Sequence, residues 1–135
     1  MSFNWIFLGG RILDNYATSS WSTADTVVER EITVPTGKRW FILGGIAHNG
    51  DSVSRNIRVE LFNENDKRLM MLLPSTSVGA GGDINILSSL SSNYIPGFPI
   101  VAKEGWYVKI TWLAGSGGDA SGNMESALVV LEVDL

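Results

Sequence analysis

The chain has no cysteine and a single histidine, His48, in 135 residues. Without cysteine there is neither a disulfide framework nor a thiolate metal site, so stability comes from packing or assembly, as suits a reducing cytoplasm. One histidine cannot build the multi-histidine barrel mouth of a cupin-type metal enzyme. It also leaves acid–base and nucleophilic chemistry without the group that most often titrates near neutral pH. Charge is scarce as well, at 18 % of residues against about 25 % in an average soluble protein. The ten Lys and Arg are scattered and the net charge is -4, which offers no basic footprint for a nucleic-acid backbone. Long apolar runs are absent at the N-terminus, where Trp5 to Leu8 is the only uninterrupted stretch, far short of the roughly 20 residues that span a bilayer. No basic segment precedes it, so the chain reads as made in the cytosol without a leader and without a membrane partner.

What is present is alternation. Trp106, Val108, Ile110 and Trp112 share one face of the segment Trp106–Leu113, and Ile57, Val59 and Leu61 share one face of Arg55–Phe62. Ser126–Leu135 places Ala127, Val129, Leu131, Val133 and Leu135 opposite Glu132 and Asp134, and Val27–Val34 places Val28, Ile32 and Val34 opposite Glu29, Glu31 and Thr33. Period two over eight to ten residues predicts half-buried antiparallel strands. Arg39–His48 and Arg68–Leu73 are apolar on both faces, which predicts central strands or strands covered by another subunit. Asn4–Leu8, Ile84–Leu90 and Tyr94–Ile100 are further strand candidates, the last restricted to an edge by Pro96 and Pro99.

Turn chemistry separates these runs, at Pro35-Thr36-Gly37, Asn49-Gly50-Asp51, Asn63 to Asp66, Gly79 to Asp83, Lys103-Glu104-Gly105 and Gly115 to Asn123. About eight strands with turns every 8 to 12 residues predict an all-β antiparallel β-sandwich of Greek-key, jelly-roll type. Residues 27–135 read as its single domain. Residues 1–26 read as an N-terminal arm packing on that domain or on a neighbour, with Asp14–Thr26 irregular and the arm dispensable for folding.

The candidate chemistry is thin. His48 ends a strand before a turn and reads as structural. The loop Gly115–Asn123 with Glu125 supplies oxygens, but its spacing fails the calcium-loop pattern and it has no P-loop order. The serines of Ser75–Ser77 and Ser88–Ser92 lack a G-x-S-x-G elbow, and a triad would need His48 and Asp51 to meet one of them. Glu29, Glu31, Glu60 and Glu64 could furnish paired carboxylates for glycoside hydrolysis, yet the first three lie on polar strand faces where solvation is the ordinary role. No catalytic residue, cofactor or metal ligand is therefore expected. Of five tryptophans, Trp40, Trp106 and Trp112 belong to apolar faces and read as core. Trp5, Phe7, Tyr16 and Trp21 stand in the N-terminal segment and are the candidates for contact with a partner protein.

Val34-Pro35-Thr36-Gly37-Lys38-Arg39-Trp40, an Asn-Gly-Asp-Ser loop one strand later, and Glu104-Gly105-Trp106-Tyr107-Val108-Lys109-Ile110-Thr111-Trp112 before a Gly-rich hairpin resemble small jelly-roll proteins of tailed-phage virions. The nearest kind is the capsid decoration, or cement, protein, and the resemblance spans about Val27 to Leu135. It implies a non-enzymatic virion component, often a homotrimer, made in the host bacterial cytoplasm. Such a protein sits on the outer capsid and ties neighbouring subunits of the major capsid protein together. A carbohydrate-binding β-sandwich is the alternative, with Trp21 or Tyr94 as a stacking platform for sugar. Another virion part, such as a tail or head fibre, is a third.

Overall fold

The computed structural model describes residues 11–20, 27–87, 100–113 and 123–135. Among them are nine strands: β1 (Arg11–Ser20), β2 (Val28–Thr33), β3 (Lys38–Asn49), β4 (Arg55–Phe62), β5 (Arg68–Val78), β6 (Asp83–Asn85), β7 (Ile100–Ala102), β8 (Tyr107–Trp112) and β9 (Asn123–Asp134). β4 coincides with the segment expected from alternation, and β2, β3, β8 and β9 match theirs to within a few residues. Of the three weaker candidates, Asn4–Leu8 lies outside the described residues. Of the other two, Ile84–Leu90 meets β6 at Ile84 and Asn85 and Tyr94–Ile100 meets β7 at Ile100, while residues 88–99 are likewise outside the described set.

Every pairing is antiparallel. One sheet runs β1-β9-β3-β6, with β7 also on β3, and the other runs β2-β8-β4-β5. β6 pairs with Ile46–His48 and β7 with Trp40–Ile42, so the two short strands are halves of one strand position. The pairs then nest as β4 with β5, β3 with β6 and β7, β2 with β8, and β1 with β9. This is a long antiparallel ribbon rolled up so that successive pairs fall in opposite sheets, the jelly roll.

β1 corrects one expectation. Asp14 to Ser20 is not irregular: it belongs to an edge strand whose ladder with β9 runs from Arg11↔Glu132 to Ser20↔Asn123. The sheet therefore draws on the chain before residue 27. A segment rich in Ser, Thr and Asn lacks the apolar signature of a strand, and backbone pairing with an already formed neighbour supplies what side-chain propensity does not.

The core fills the space between the sheets with Ile57, Val59, Leu61, Val108, Ile110, Trp112, Leu128, Val130, Trp40 and Ile42. Each fully buried side chain of this size contributes about 1.5–3 kcal/mol. Trp106 packs against this core partly buried. The two stretches that carry the sequence resemblance lie side by side. Val34 N–H donates to the Trp106 carbonyl at 2.8 Å, and Gly105 N–H to the Val34 carbonyl at 3.1 Å. Gly37 N–H donates to the Glu104 carboxylate at 2.8 Å. Each turn needs its glycine: Gly37 and Gly105 have φ of 77° and 79°, the position where a type II turn excludes a Cβ.

Bulges explain the runs that looked apolar on both faces. In β3 the register shifts between Ile42 and Gly44, so Leu43 is the extra residue and inward parity changes from Trp40 and Ile42 to Ala47 and Asn49. β3 is central, as expected, lying between β9 and β6/β7. β5 is not: it is the edge of its sheet, where Pro74 is tolerated. Register shifts against β4 leave the consecutive Leu72 and Leu73 both buried, while Leu69 and Met70 stay exposed.

Candidate functional site

The surface of interest is the outer face of the β1-β9-β3-β6/β7 sheet. Residues opposite one another on antiparallel strands share a face, so the register reads out this surface row by row. Arg39 stands beside Val133, then Val101 beside Phe41 and Leu131, Gly44 beside Val129, Asn85 beside Ile46 and Ala127, and finally Asp83 beside His48 and Glu125. β1 borders the stripe, with Asp14 and Tyr16 at the register positions of Val129 and Ala127. The middle rows expose three large apolar side chains: Ile46 is 53 % exposed, Leu43 45 % and Val101 36 %. Leu131, on this face opposite Phe41, is buried yet lies outside the core cluster.

The two ends of the stripe carry opposite charge. At one end Lys38 is paired with Asp134. Arg39 beside it has a buried Nε without a hydrogen-bond partner and forms no ion pair among the described residues. At the other end His48 Nδ1 lies 2.7 Å from Asp83 Oδ1. Glu125 faces this pair across the ladder, and its carboxylate has neither a hydrogen bond nor an ion pair among the described residues. These groups, with Ile46, Ser126 and Ala127, line an open hollow of about 250 Å³.

His48 and Asp83 have the spacing of a base and its orienting carboxylate, but Ser126, the hydroxyl at this hollow, is buried and accepts a bond from Trp112 Nε1 at 3.3 Å. It is held toward the core, out of line with an imidazole on the outer face. Among the described residues no group of three or more His, Cys, Asp or Glu is placed to hold a metal ion. Asp51, the acid that a triad through His48 would have needed, is committed elsewhere. Its carboxylate receives Arg55 Nε at 2.7 Å, and both side chains are fully buried. Asn49, also buried, braces that pair: its amide donates to the carbonyls of Val53 and Val78 at 2.8 and 2.9 Å, and its Oδ1 accepts from Asp51 N–H at 2.9 Å.

Of the carboxylates considered for hydrolysis, Glu29, Glu31 and Glu64 are exposed, and Glu31 reaches Lys109 at 3.6 Å. Glu60 is not solvated as its polar face suggested. It is buried and bridges Arg58 and Arg68, each at 3.1 Å. Nearby, Tyr107 stacks on Phe62 with ring centroids 5.2 Å apart and donates its hydroxyl to Asp66 at 2.9 Å. Burial, that hydrogen bond and the negative charges of Asp66 and Glu31 push the Tyr107 phenol up to about 12.

The sequence-predicted contact residues are not brought together here. Trp5, Phe7 and Trp21 lie outside the described residues, and Tyr16 is placed in β1 opposite Ala127. The Gly115–Asn123 loop is also outside them, apart from Asn123 at the start of β9. The exposed stripe through Leu43, Ile46 and Val101 was missed as a site. Its signal was the both-face apolar run of Arg39–His48, which alternation alone could not divide between core and surface.

No family model matches the chain, and no curated protein matches it. Solved structures of infectious bursal disease virus are similar. The chain of the T13 particle aligns at 10 % identity with a TM-score of 0.44, over 93 % of this chain and 31 % of that one. The Gx strain aligns at 12 % identity with a TM-score of 0.45, over 93 % and 32 %. An exo-beta-1,3-galactanase from Phanerochaete chrysosporium aligns at 17 % identity with a TM-score of 0.28, over 89 % and 27 %. This chain thus spans about a third of the length of the virus chains. At such distance the functional argument rests on the chain's own geometry.

Proposed function

We propose that the chain is a non-enzymatic structural protein of a virus particle, a decoration protein that binds the outer lattice of a major capsid protein and stabilises it. The observation that carries this reading is the exposed apolar stripe of Leu43, Ile46 and Val101. Exposed large apolar side chains on an outer sheet face suit contact with protein better than turnover of a small molecule. The jelly-roll pairing and the two stapled turns, which hold the residues of the phage-protein resemblance, support the same reading.

Trp5, Phe7, Tyr16 and Trp21 contact the capsid lattice in this reading, and the protein acts as a homo-oligomer, a trimer being the order the resemblance implies. Its mechanism is mass action. A protein that binds only the mature lattice stabilises that state by about 2.7 kcal/mol at a free concentration 100 times its Kd.

The test is sedimentation of expanded, undecorated tailed-phage capsids with added protein. Saturable co-sedimentation, weakened by Trp5→Ala and Trp21→Ala, is the expected result. Protein that stays in the supernatant at all concentrations overturns the reading, and a glycan array then tests sugar binding.

A further inference from the structure

We infer that the outer face of the β1-β9-β3-β6/β7 sheet docks on the same face of a second copy of this chain, about a two-fold axis near Leu43 and Gly44. The argument is charge complementarity of the stripe with itself. Its basic end is Arg39, whose Nε is buried without a hydrogen-bond partner while its neighbour Lys38 is neutralised by Asp134. Its acidic end is Glu125, unpaired among the described residues, beside Asp83, which is engaged with His48. Arg39 and His48 are nine residues apart on β3, roughly 30 Å at the rise of an extended strand. Between them on β3 lie Phe41, Leu43, Gly44 and Ile46, which carry no charge; the charged register position in the middle rows is Asp14, at the border on β1.

A two-fold axis through the middle of this stripe reverses it onto itself. The rows of Arg39 and of Glu125 exchange places, as do the rows of Phe41 and of Ile46. Arg39 of each copy meets Glu125 of the other, and both unpaired charges gain partners in one contact. The apolar rows meet at the centre, in the isologous arrangement that a self-complementary patch requires. Parallel stacking of the stripes would set Arg39 against Arg39 and Glu125 against Glu125, which like-charge repulsion opposes. The centre also fits. A Cβ on Gly44 would meet nothing within 4 Å, so the outer surface is vacant there, and the exposed Leu43 beside it is placed to project over Gly44 of the opposing copy. Two sheets packed in this way stand about 10 Å apart.

This inference does not rest on the virion reading: it is measured with no capsid present, it sets an even-numbered assembly against the trimer that the resemblance implies, and it leaves capsid contact to the N-terminal residues, the stripe being covered by the second copy. Sedimentation velocity over a wide concentration range is expected to show a reversible dimer, or a larger even-numbered assembly. Arg39→Glu and Glu125→Arg are each expected to raise its dissociation constant about tenfold or more. The double variant Arg39→Glu/Glu125→Arg restores it to within about threefold, because the exchanged charges again face each other. Ile46→Glu, at a side chain exposed in the single chain, abolishes association while leaving the unfolding midpoint within the range of ordinary surface variants. It serves as the decisive variant if a change at Arg39 impairs folding. A monomer at every concentration overturns the inference. So does a trimer whose mass ignores these substitutions, or a double variant in which the two losses add.

Discussion

Asp51 receives the Arg55 guanidinium Nε at 2.7 Å with both side chains removed from solvent, and the Asn49 amide ties this pair to the end of β5 through the Val78 carbonyl. The loop that leaves β3 is thereby fixed against the turn that follows β5. Backbone bonds of 2.9 Å from Asn49 N–H to the Gly82 carbonyl and 2.8 Å from Gly81 N–H to the Asn49 carbonyl complete the junction.

Removing one member of this pair leaves the other charge buried and unmatched. Asp51→Ala is expected to cost about 3–5 kcal/mol, lowering Tm by about 10 °C or more in a chain of this size. Thermal and urea unfolding read this directly, and a loss below about 1 kcal/mol would show that the loop opens to hydrate Arg55.

Two adjacent glycines should behave oppositely. A Cβ at Gly45 would come 2.5 Å from the Ala127 carbonyl oxygen and 2.8 Å from Ile86 Cδ1, whereas one at Gly44 meets nothing within 4 Å. Gly45→Ala must push β3 away from β9 and is expected to cost about 2 kcal/mol or more. Gly44→Ala should be neutral to about 1 kcal/mol stabilising, because strand glycine is entropically costly. Equal effects in denaturant titrations would contradict the pairing of Gly44 with Val129 and Gly45 with Leu128.

Tyr107 should ionise late. With its phenol pushed up to about 12 in the folded protein against about 10 in an unfolded chain, the folded state holds the proton more tightly. Its contribution to stability is therefore complete below about pH 10 and is lost as pH rises from there through 12. An ultraviolet tyrosinate titration should show a late component that Tyr107→Phe removes and Asp66→Asn moves to lower pH. A single transition for all three tyrosines near pH 10 would refute this.

Deletions at the N-terminus should separate two roles. Removing residues 1–10 leaves the β1–β9 ladder intact and is expected to preserve cooperative unfolding while weakening capsid binding. Removing residues 1–26 strips β1 from β9 and leaves the whole β9 ladder on that side without a partner, an unpaired sheet edge. Its midpoint in urea should fall sharply; an unchanged midpoint would return residues 11–20 to the status of a dispensable arm.

The all-β class, the bounds of β4 and the inward faces of β2, β4 and β8 were legible in the sequence by itself, because period-two alternation is a local property that each strand carries without its partners. The same rule placed Val108, Ile110 and Trp112 in the core, where they lie. Tertiary structure alone decided the rest. Ile46 and His48 face outward because a bulge one residue wide inverts the parity of β3. Asp14 to Ser20 form a strand because β9 offers them a ladder. Glu60 is buried between Arg58 and Arg68, and His48 meets Asp83 while Asp51 takes Arg55, because strands distant in sequence bring these groups together. Register, bulges and charge pairing depend on which residues stand opposite, and in a jelly roll those lie up to a hundred or more positions away along the chain, as Arg11 and Glu132 do.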